Sequence, residues 1–251
     1  MLILLHVCGI MYYINEQGVI IMALRERTDD NLKIFATDLD GTCIFSRRQL
    51  STIDGFTEVD ARGSYQGYMN TYLYKNLKRL DEQICFVPVT TRSRSQYERI
   101  RFSIVPHLAL AANGAVLYVD GVEDVRWYEL VQKELNDYRS ELYKVLVLEH
   151  AKMIEDSFVV IKGESSEDVS YICKWCQDQL DLSKVMIHHK DRKVFVLPVI
   201  LEKGKAVERL KARYGIEYVL GAGDSTMDTS LLEMCDKIVE IDQLKREGDY
   251  L

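Results

Sequence analysis

The stretch Leu32–Thr37 is short and apolar, and it runs directly into Asp38-Leu39-Asp40-Gly41-Thr42. An apolar run of this length bounded by a turn reads as a buried strand, so two carboxylates stand where a buried element ends. Alternate residues of an extended segment point the same way, which aims Asp38 and Asp40 into one cleft, and Gly41 lets the chain bend sharply. The pattern recurs. Ile84–Val89 ends in Thr90-Thr91-Arg92, before a helical Ser93–Arg101. Leu108–Ala112 ends in Asn113-Gly114, before a strand-like Ala115–Val119. Glu217–Leu220 runs into Gly221-Ala222-Gly223-Asp224, then a helical Thr226–Cys235 and an apolar Lys237–Ile241. Strands alternating with helices predict an α/β fold: a Rossmann-like parallel sheet with helices on both faces. In such sheets ligands bind beyond the carboxyl ends of the strands, where these polar clusters fall.

Between Asn113-Gly114 and Lys203 the chain is far longer than one crossover helix requires. Leu135, Tyr138, Leu142 and Val145 mark a helix face within Val131–His150. Phe158–Lys162 reads as a strand, and Val169, Ile172, Cys173, Cys176 and Leu180 mark a second helix. Val185–His188 and Lys193–Leu197 form the arms of a hairpin around His189-Lys190-Asp191-Arg192. This predicts a small α+β domain at 123–197, inserted in a core made of 25–122 and 198–251, with 1–24 as an N-terminal extension.

The chain has 251 residues, 47% hydrophobic and 28% charged, which excludes disorder as its main description. A net charge of -7 argues against a nucleic-acid partner and against a basic membrane-surface protein. The six cysteines lie mostly inside apolar runs, as reduced thiols do, which points to the cytoplasm. Met1–Leu24 contains no Lys or Arg, and its apolar run is broken by Asn15, Glu16, Gln17 and Gly18, short of the ~20 residues that a membrane span needs. It lacks the basic region and small-residue cleavage site of a secretory signal. Three readings of it stay open: residues preceding a start at Met22, a docked strand or helix, and a targeting element.

Thr90 at a strand end, Lys203 at a helix start and Gly223-Asp224-Ser225-Thr226-Met227-Asp228 after a strand are ordinary features singly. Taken in order with Asp38-Leu39-Asp40-Gly41-Thr42, they resemble the four motifs of the haloacid dehalogenase-like hydrolase superfamily. Ala111-Ala112-Asn113-Gly114-Ala115 and Glu202-Lys203-Gly204-Lys205-Ala206 resemble its branch of Cof-type, sucrose-phosphate, trehalose-phosphate and mannosyl-phosphoglycerate phosphatases. In that branch an α/β cap is inserted between the second and third motifs. The resemblance runs from about Asn31 to Ile241 and is specific at the motifs. Thr91 and Met227 depart from it, standing where Cof-type chains usually have Gly and Asn.

The resemblance implies a phosphatase in which Asp38 attacks phosphorus and Asp40 protonates the leaving oxygen, then takes a proton from the hydrolytic water. Clustered carboxylates repel an anionic substrate, so a divalent cation is required; Mg²⁺ takes hard oxygen ligands. By resemblance these are Asp38, the Asp40 carbonyl and Asp224, with Asp228 alongside. Thr90 and the backbone around Leu39 and Thr91 would hold the phosphoryl oxygens, and Lys203 would supply fixed positive charge. The expected reaction is hydrolysis of a small phosphorylated metabolite, a sugar or polyol phosphate. Phosphoryl transfer to a second sugar and phosphate sensing without catalysis are the alternatives.

Four residues are candidates for the substrate pocket. Asn113 would line its floor and Arg92 would reach a substrate anion. Lys190 and Arg192, in the dense cationic turn of an acidic chain, would read a second anionic group. Tyr68 and Tyr72, spaced i,i+4, are expected to pack a helix in the segment after Asp40. Cys173-Lys174-Trp175-Cys176 falls on an apolar helix face with no second pair, which makes core thiols rather than a zinc site; adjacent His188-His189 lacks ligand spacing.

Overall fold

A computed structural model describes residues 3–7, 10–14, 20–25, 32–62 and 65–248 of the chain. It comprises two compact units, 1–32 and 33–251. The first is an antiparallel sheet of β1 (Ile3–Val7), β2 (Ile10–Ile14) and β3 (Ile20–Arg25). The polar break Asn15–Gly18 lies outside the described residues. Among the described residues no helix is long and apolar enough to cross a membrane.

The second unit starts within β4 (Leu32–Thr37), which leads through β5 (Phe45–Ser46) to a hairpin of β6 (Phe56–Arg62) and β7 (Tyr65–Asn70). Helix α1 (Thr71–Gln83) follows, then β8 (Cys85–Pro88), a single turn α2 (Arg94–Tyr97), and the strands β9 (Leu108–Ala111), β10 (Val116–Val119) and β11 (Val122–Glu123). The inserted segment contains α3 (Val125–Glu134), α4 (Arg139–Val145), β12 (Ala151–Ile154), β13 (Phe158–Lys162), α5 (Ser166–Gln179), β14 (Val185–Lys190) and β15 (Lys193–Pro198). The chain then forms α6 (Lys203–Tyr214), β16 (Ile216–Ala222), α7 (Thr229–Glu233), β17 (Lys237–Ile238) and α8 (Ile241–Leu244).

The central sheet has the order β17-β16-β4-β8, with β17 parallel to β16 and β8 parallel to β4. Ile34, Phe35 and Ala36 of β4 and Phe86 and Val87 of β8 are fully buried, as continuous apolar runs must be when both faces are covered. A parallel bridge from Val89 to Leu110 brings the antiparallel β9, β10 and β11 to the β8 edge. Asp38, Thr90 and Asp224 all follow the carboxyl ends of neighbouring strands.

The inserted segment forms an antiparallel sheet of order β12-β13-β15-β14. Strand alternation divides its two faces. Val185 and Ile187 of β14, with Val194 and Val196 of β15, pack against Leu142 and Val145 of α4 and Val169, Ile172 and Cys176 of α5. The alternate residues Met186, His188 and Leu197 line a cavity with Asn113 and Thr226 of the core, so this cap turns one face to its own helices and the other to the core. Cys173 and Cys176 pack within the helix-facing cluster.

Local differences from the sequence expectations have local causes. Helix α3 begins at Val125 because the Asp124 side chain accepts from the Trp127 N–H, an N-cap that hydrophobic spacing does not register. Only Arg94–Tyr97 of the expected Ser93–Arg101 helix is helical. Tyr68 and Tyr72 are not on one helix: Tyr68 pairs with Phe45 and Glu58 in the flap sheet β5-β7-β6, and α1 starts only after Asn70. The Asn70 side chain accepts from the Leu73 N–H while its amide donates to the Asp54 and Lys245 carbonyls, ending the strand and starting the helix at one residue.

Gly204, in the first turn of α6, lies against the backbone of α7: a Cβ there would run into the Ser230 carbonyl oxygen. Backbone cannot rotate away as a side chain can, so overpacking should cost about 1–3 kcal/mol. Gly204→Ala is expected to lower the thermal midpoint by several degrees in a denaturation scan; an unchanged midpoint would show that α7 yields freely.

Candidate active site

The turn after β4 is built around its backbone. The Asp38 N–H donates to the Ala222 carbonyl at 3.0 Å, tying the strand end to β16. The Gly41 N–H donates to the Ile44 carbonyl at 2.8 Å and the Ile44 N–H to the Leu39 carbonyl at 2.7 Å. Gly41 has φ 101°, and a Cβ on it would collide with the Asp224 carboxylate. The Asp-Gly turn is thus a contact requirement: only a bare α-carbon lets the β4 turn and the β16 turn approach this closely.

Lys203, the first residue of α6, is fully buried, and its ammonium donates to Asp38 Oδ1 at 2.5 Å and Asp228 Oδ1 at 2.6 Å. The second Asp228 oxygen accepts from the Asp224 N–H (3.1 Å), the Ser225 N–H (2.9 Å) and the Ser225 hydroxyl (2.7 Å). Burial opposes charge on Asp228, but Lys203 and the Ser225 donors outweigh it and hold its carboxyl below the usual range. Burial also opposes the Lys203 charge, yet Asp38 and Asp228 together keep the ammonium protonated well above its ordinary range. Asp38 goes the other way: burial raises its carboxyl to about 7 against the pull of Lys203, with Asp228 and Asp40 adding to the rise. One ammonium serves two carboxylates, and Asp38 is left under-compensated.

Asp38, Asp224 and Asp228 each offer a carboxylate oxygen, and these oxygens lie within 4.8 Å of one another. An all-oxygen donor set crowded by like charge suits a hard divalent cation. Lys190 projects from the end of β14 into the same place: its ammonium donates to the Asp40 carbonyl at 2.6 Å and to both Asp224 carboxylate oxygens at 2.9 Å. The cap thus supplies a cation to two of the groups expected to ligate a metal.

Thr90 is buried at the end of β8, with its hydroxyl accepting from the Arg92 N–H at 3.2 Å and its N–H donating to the Leu110 carbonyl at 2.9 Å. Thr91 follows it, half-buried. Asn113 takes the left-handed region at φ 56°. Its N–H donates to the Thr90 carbonyl and its side-chain amide to the Leu201 carbonyl, while its buried Oδ1 has no partner among the described residues. Arg92 is engaged by the core itself. Its Nε and Nη2 donate to the two Asp40 carboxylate oxygens at 2.8 and 2.7 Å, and its Nη1 to Asp60 at 2.6 Å. Arg192 lies apart, exposed in the hairpin turn, with its guanidinium on the Glu164 carbonyl of the cap. The structure therefore brings Asp38, Asp40, Lys190, Lys203, Asp224 and Asp228 together, turns Arg92 onto Asp40, and leaves Arg192 outside.

Thr42 also enters the site: its hydroxyl lies 3.4 Å from Asp38 Oδ2 and 3.5 Å from Asp224 Oδ1. The motif includes it, but only the fold shows it between two carboxylates. Asp60 carried no distinguishing sequence signal, and Ser225 stood inside the Gly223–Asp228 motif with no part assigned to it.

No protein-family model and no curated protein matches the chain. Solved structures do. A sucrose-phosphatase from Synechocystis, in complex with sucrose and phosphate, superposes with a TM-score of 0.56 at 18% identity, covering 83% of this chain and 83% of that one. A haloacid dehalogenase-like hydrolase from B. subtilis gives 0.50 at 17% identity, over 83% and 88% of the two chains. An IMP-bound IMP-nucleotidase from Plasmodium falciparum gives 0.51 at 12% identity, over 84% and 64%. At such identities the likeness is one of fold: a parallel-sheet core with a cap, as in the haloacid dehalogenase-like hydrolases.

Lys190 and a divalent cation would compete for Asp224 and the Asp40 carbonyl. Like charges a few ångströms apart repel by up to about 4 kcal/mol even at moderate screening. Lys190→Ala is expected to bind Mg²⁺ on the order of tenfold more tightly by isothermal titration calorimetry. Equal affinity in the two proteins would mean that the lysine withdraws without cost.

Proposed function

We propose that the chain is a Mg²⁺-dependent phosphatase that hydrolyses a small phosphate monoester through an aspartyl-phosphate on Asp38. The observation that carries this reading is the buried Lys203 ammonium, shared by Asp38 and Asp228 beside the Asp224 carboxylate. In-line attack on phosphorus needs an oxygen nucleophile held still, and positive charge where the phosphoryl oxygens gather. Lys203 supplies both for Asp38: it fixes one carboxylate oxygen, leaving the other to attack, and its charge lies at the site of reaction. Asp40 protonates the departing oxygen and later accepts a proton from the hydrolytic water. The Thr90 hydroxyl and the Thr91 N–H would receive phosphoryl oxygens. Mg²⁺ held by Asp38, the Asp40 carbonyl and Asp224, with Asp228 alongside, would neutralise substrate charge.

A hydroxyl-rich leaving group, as in a sugar phosphate, is supported by the cavity between cap and core. Its volume is about 300 Å³, at the lower end of small-molecule sites. Asn113, His188, Glu202, Thr226, Thr229 and Ser230 form its polar lining, beside the apolar Met186, Leu197 and Met227. The polar residues are hydrogen-bonding groups with acidic rather than basic charge. Sugar hydroxyls would satisfy such acceptors; a second phosphate would meet carboxylate. The fold shared with a sucrose-phosphatase agrees with this substrate class.

The test is phosphate release from a panel of phosphorylated sugars, polyols and nucleotides with Mg²⁺ and no acceptor. Steady release, strongest with sugar or polyol monophosphates, is expected, and Asp38→Asn should lower it on the order of 10³-fold or more while remaining folded. Undiminished turnover by Asp38→Asn contradicts the mechanism; product formed only when a sugar acceptor is present makes the protein a phosphotransferase.

A further inference from the structure

Asp60 has no part in the reaction outlined above, yet its side chain is 0% exposed. It lies on β6, where the pairing with β7 slips: Glu58 stands opposite Tyr68 and Asp60 opposite Gly67, so Val59 is an extra residue. Such a bulge re-aims the side chains beside it. In a regular strand Val59 and Asp60 would point to opposite faces, but here both are buried. The Val59 carbonyl is also held, accepting from the Arg101 N–H at 2.7 Å.

The bulge delivers a carboxylate to the back of Arg92. Asp60 Oδ2 accepts from Arg92 Nη1 at 2.6 Å, and Arg99 covers the other side, with its Nε 3.2 Å from Oδ1 and its Nη2 3.4 Å from Oδ2. The rest of the Arg92 fork grips both oxygens of Asp40. A buried charge persists where it is paired, and Asp60 pairs with Arg92 on the side away from Asp40, where Arg92 Nη1 also lies 3.4 Å from the Gln96 carbonyl. Without a second carboxylate, the guanidinium would be left, among the described residues, with the neutral Gln96 carbonyl at a long 3.4 Å to oppose rotation with Asp40. Held by Asp60 as well, it becomes a fixed clamp.

We infer that Asp60 is a positioning residue for Asp40, acting through Arg92 and coupling the flap hairpin to the acid that protonates the leaving group. The inference rests on the proposed role of Asp40 as that acid. Its signature follows from leaving-group chemistry. A glyceryl oxygen cannot depart as an alkoxide at neutral pH without a well-placed proton, whereas p-nitrophenolate departs unaided. Misplacing an acid by about an ångström can cost up to roughly a hundredfold, and that loss falls on the first substrate alone.

The experiment compares kcat/KM for β-glycerophosphate and p-nitrophenyl phosphate, with Mg²⁺, in the wild-type protein and in Asp60→Asn. Both rates come from one preparation, so any unfolded fraction cancels in their ratio. The glyceryl-to-aryl ratio is expected to fall at least about tenfold in Asp60→Asn. In Asp60→Glu, which keeps the charge on a longer arm, it should fall by roughly threefold; this variant also serves should Asp60→Asn fail to fold. A wild-type ratio in the folded variants overturns the positioning role and leaves the phosphatase reading intact. A wild-type protein that hydrolyses neither substrate overturns both.

Discussion

A single ammonium shared by two buried carboxylates organises this molecule. Lys203 enters at the first residue of α6, Asp38 closes β4 and Asp228 follows the β16 turn, so one charge joins three elements distant in sequence. Removing Lys203 would leave two buried carboxylates without their counter-charge, a change that typically costs about 3–5 kcal/mol. Even intact, the group is short of positive charge, and that shortage gives the site its chemistry. Asp38 stays hard to ionise for its burial, Asp224 lies beside it, and the structure answers with cations from outside the sheet: Lys190 from the cap and Arg92 from the end of β8.

The cap and the flap can be understood as attachments that manage this charge. The cap sheet gives one face of β14 to its own helices and sends the other, through Met186, His188 and Lys190, toward the core. The flap hairpin uses a bulge to place Asp60 behind Arg92. Glycine permits the close approaches. Gly41 faces the Asp224 carboxylate, Gly223 the Asp228 side chain and Gly204 the α7 backbone, and at each a methyl group would push the charged turns apart.

Much of this was legible in the residues alone. Buried parallel strands are continuous apolar runs, so β4, β8 and β16 stood out, and their polar ends marked one side of the sheet. The hairpin of β14 and β15 was legible as two apolar arms around a charged turn, though its two faces were not. The flap was harder to read. Tyr68 and Tyr72 have helical spacing, but the chain changes from strand to helix between them, at an Asn70 cap made by contacts with Asp54 and Lys245. Long-range pairing also hid the assignments of Arg92, Asp60 and Lys190. A charged side chain shows its type in a sequence, but which charge it meets depends on turns elsewhere in the chain.

The central claim is that an oxygen of Asp38 bonds to phosphorus during turnover. A single turnover with excess protein in ¹⁸O-labelled water, followed by mass spectrometry of the phosphate and of the peptide that contains Asp38, establishes that water attacks at phosphorus, which puts the label in phosphate and leaves the carboxylate unlabelled; whether an aspartyl-phosphate precedes that attack is read by trapping it. Repeating the reaction with borohydride trapping should convert Asp38 alone to homoserine. Labelled phosphate released with Asp38 never trapped, or the trapped residue found elsewhere in the chain, would contradict the account.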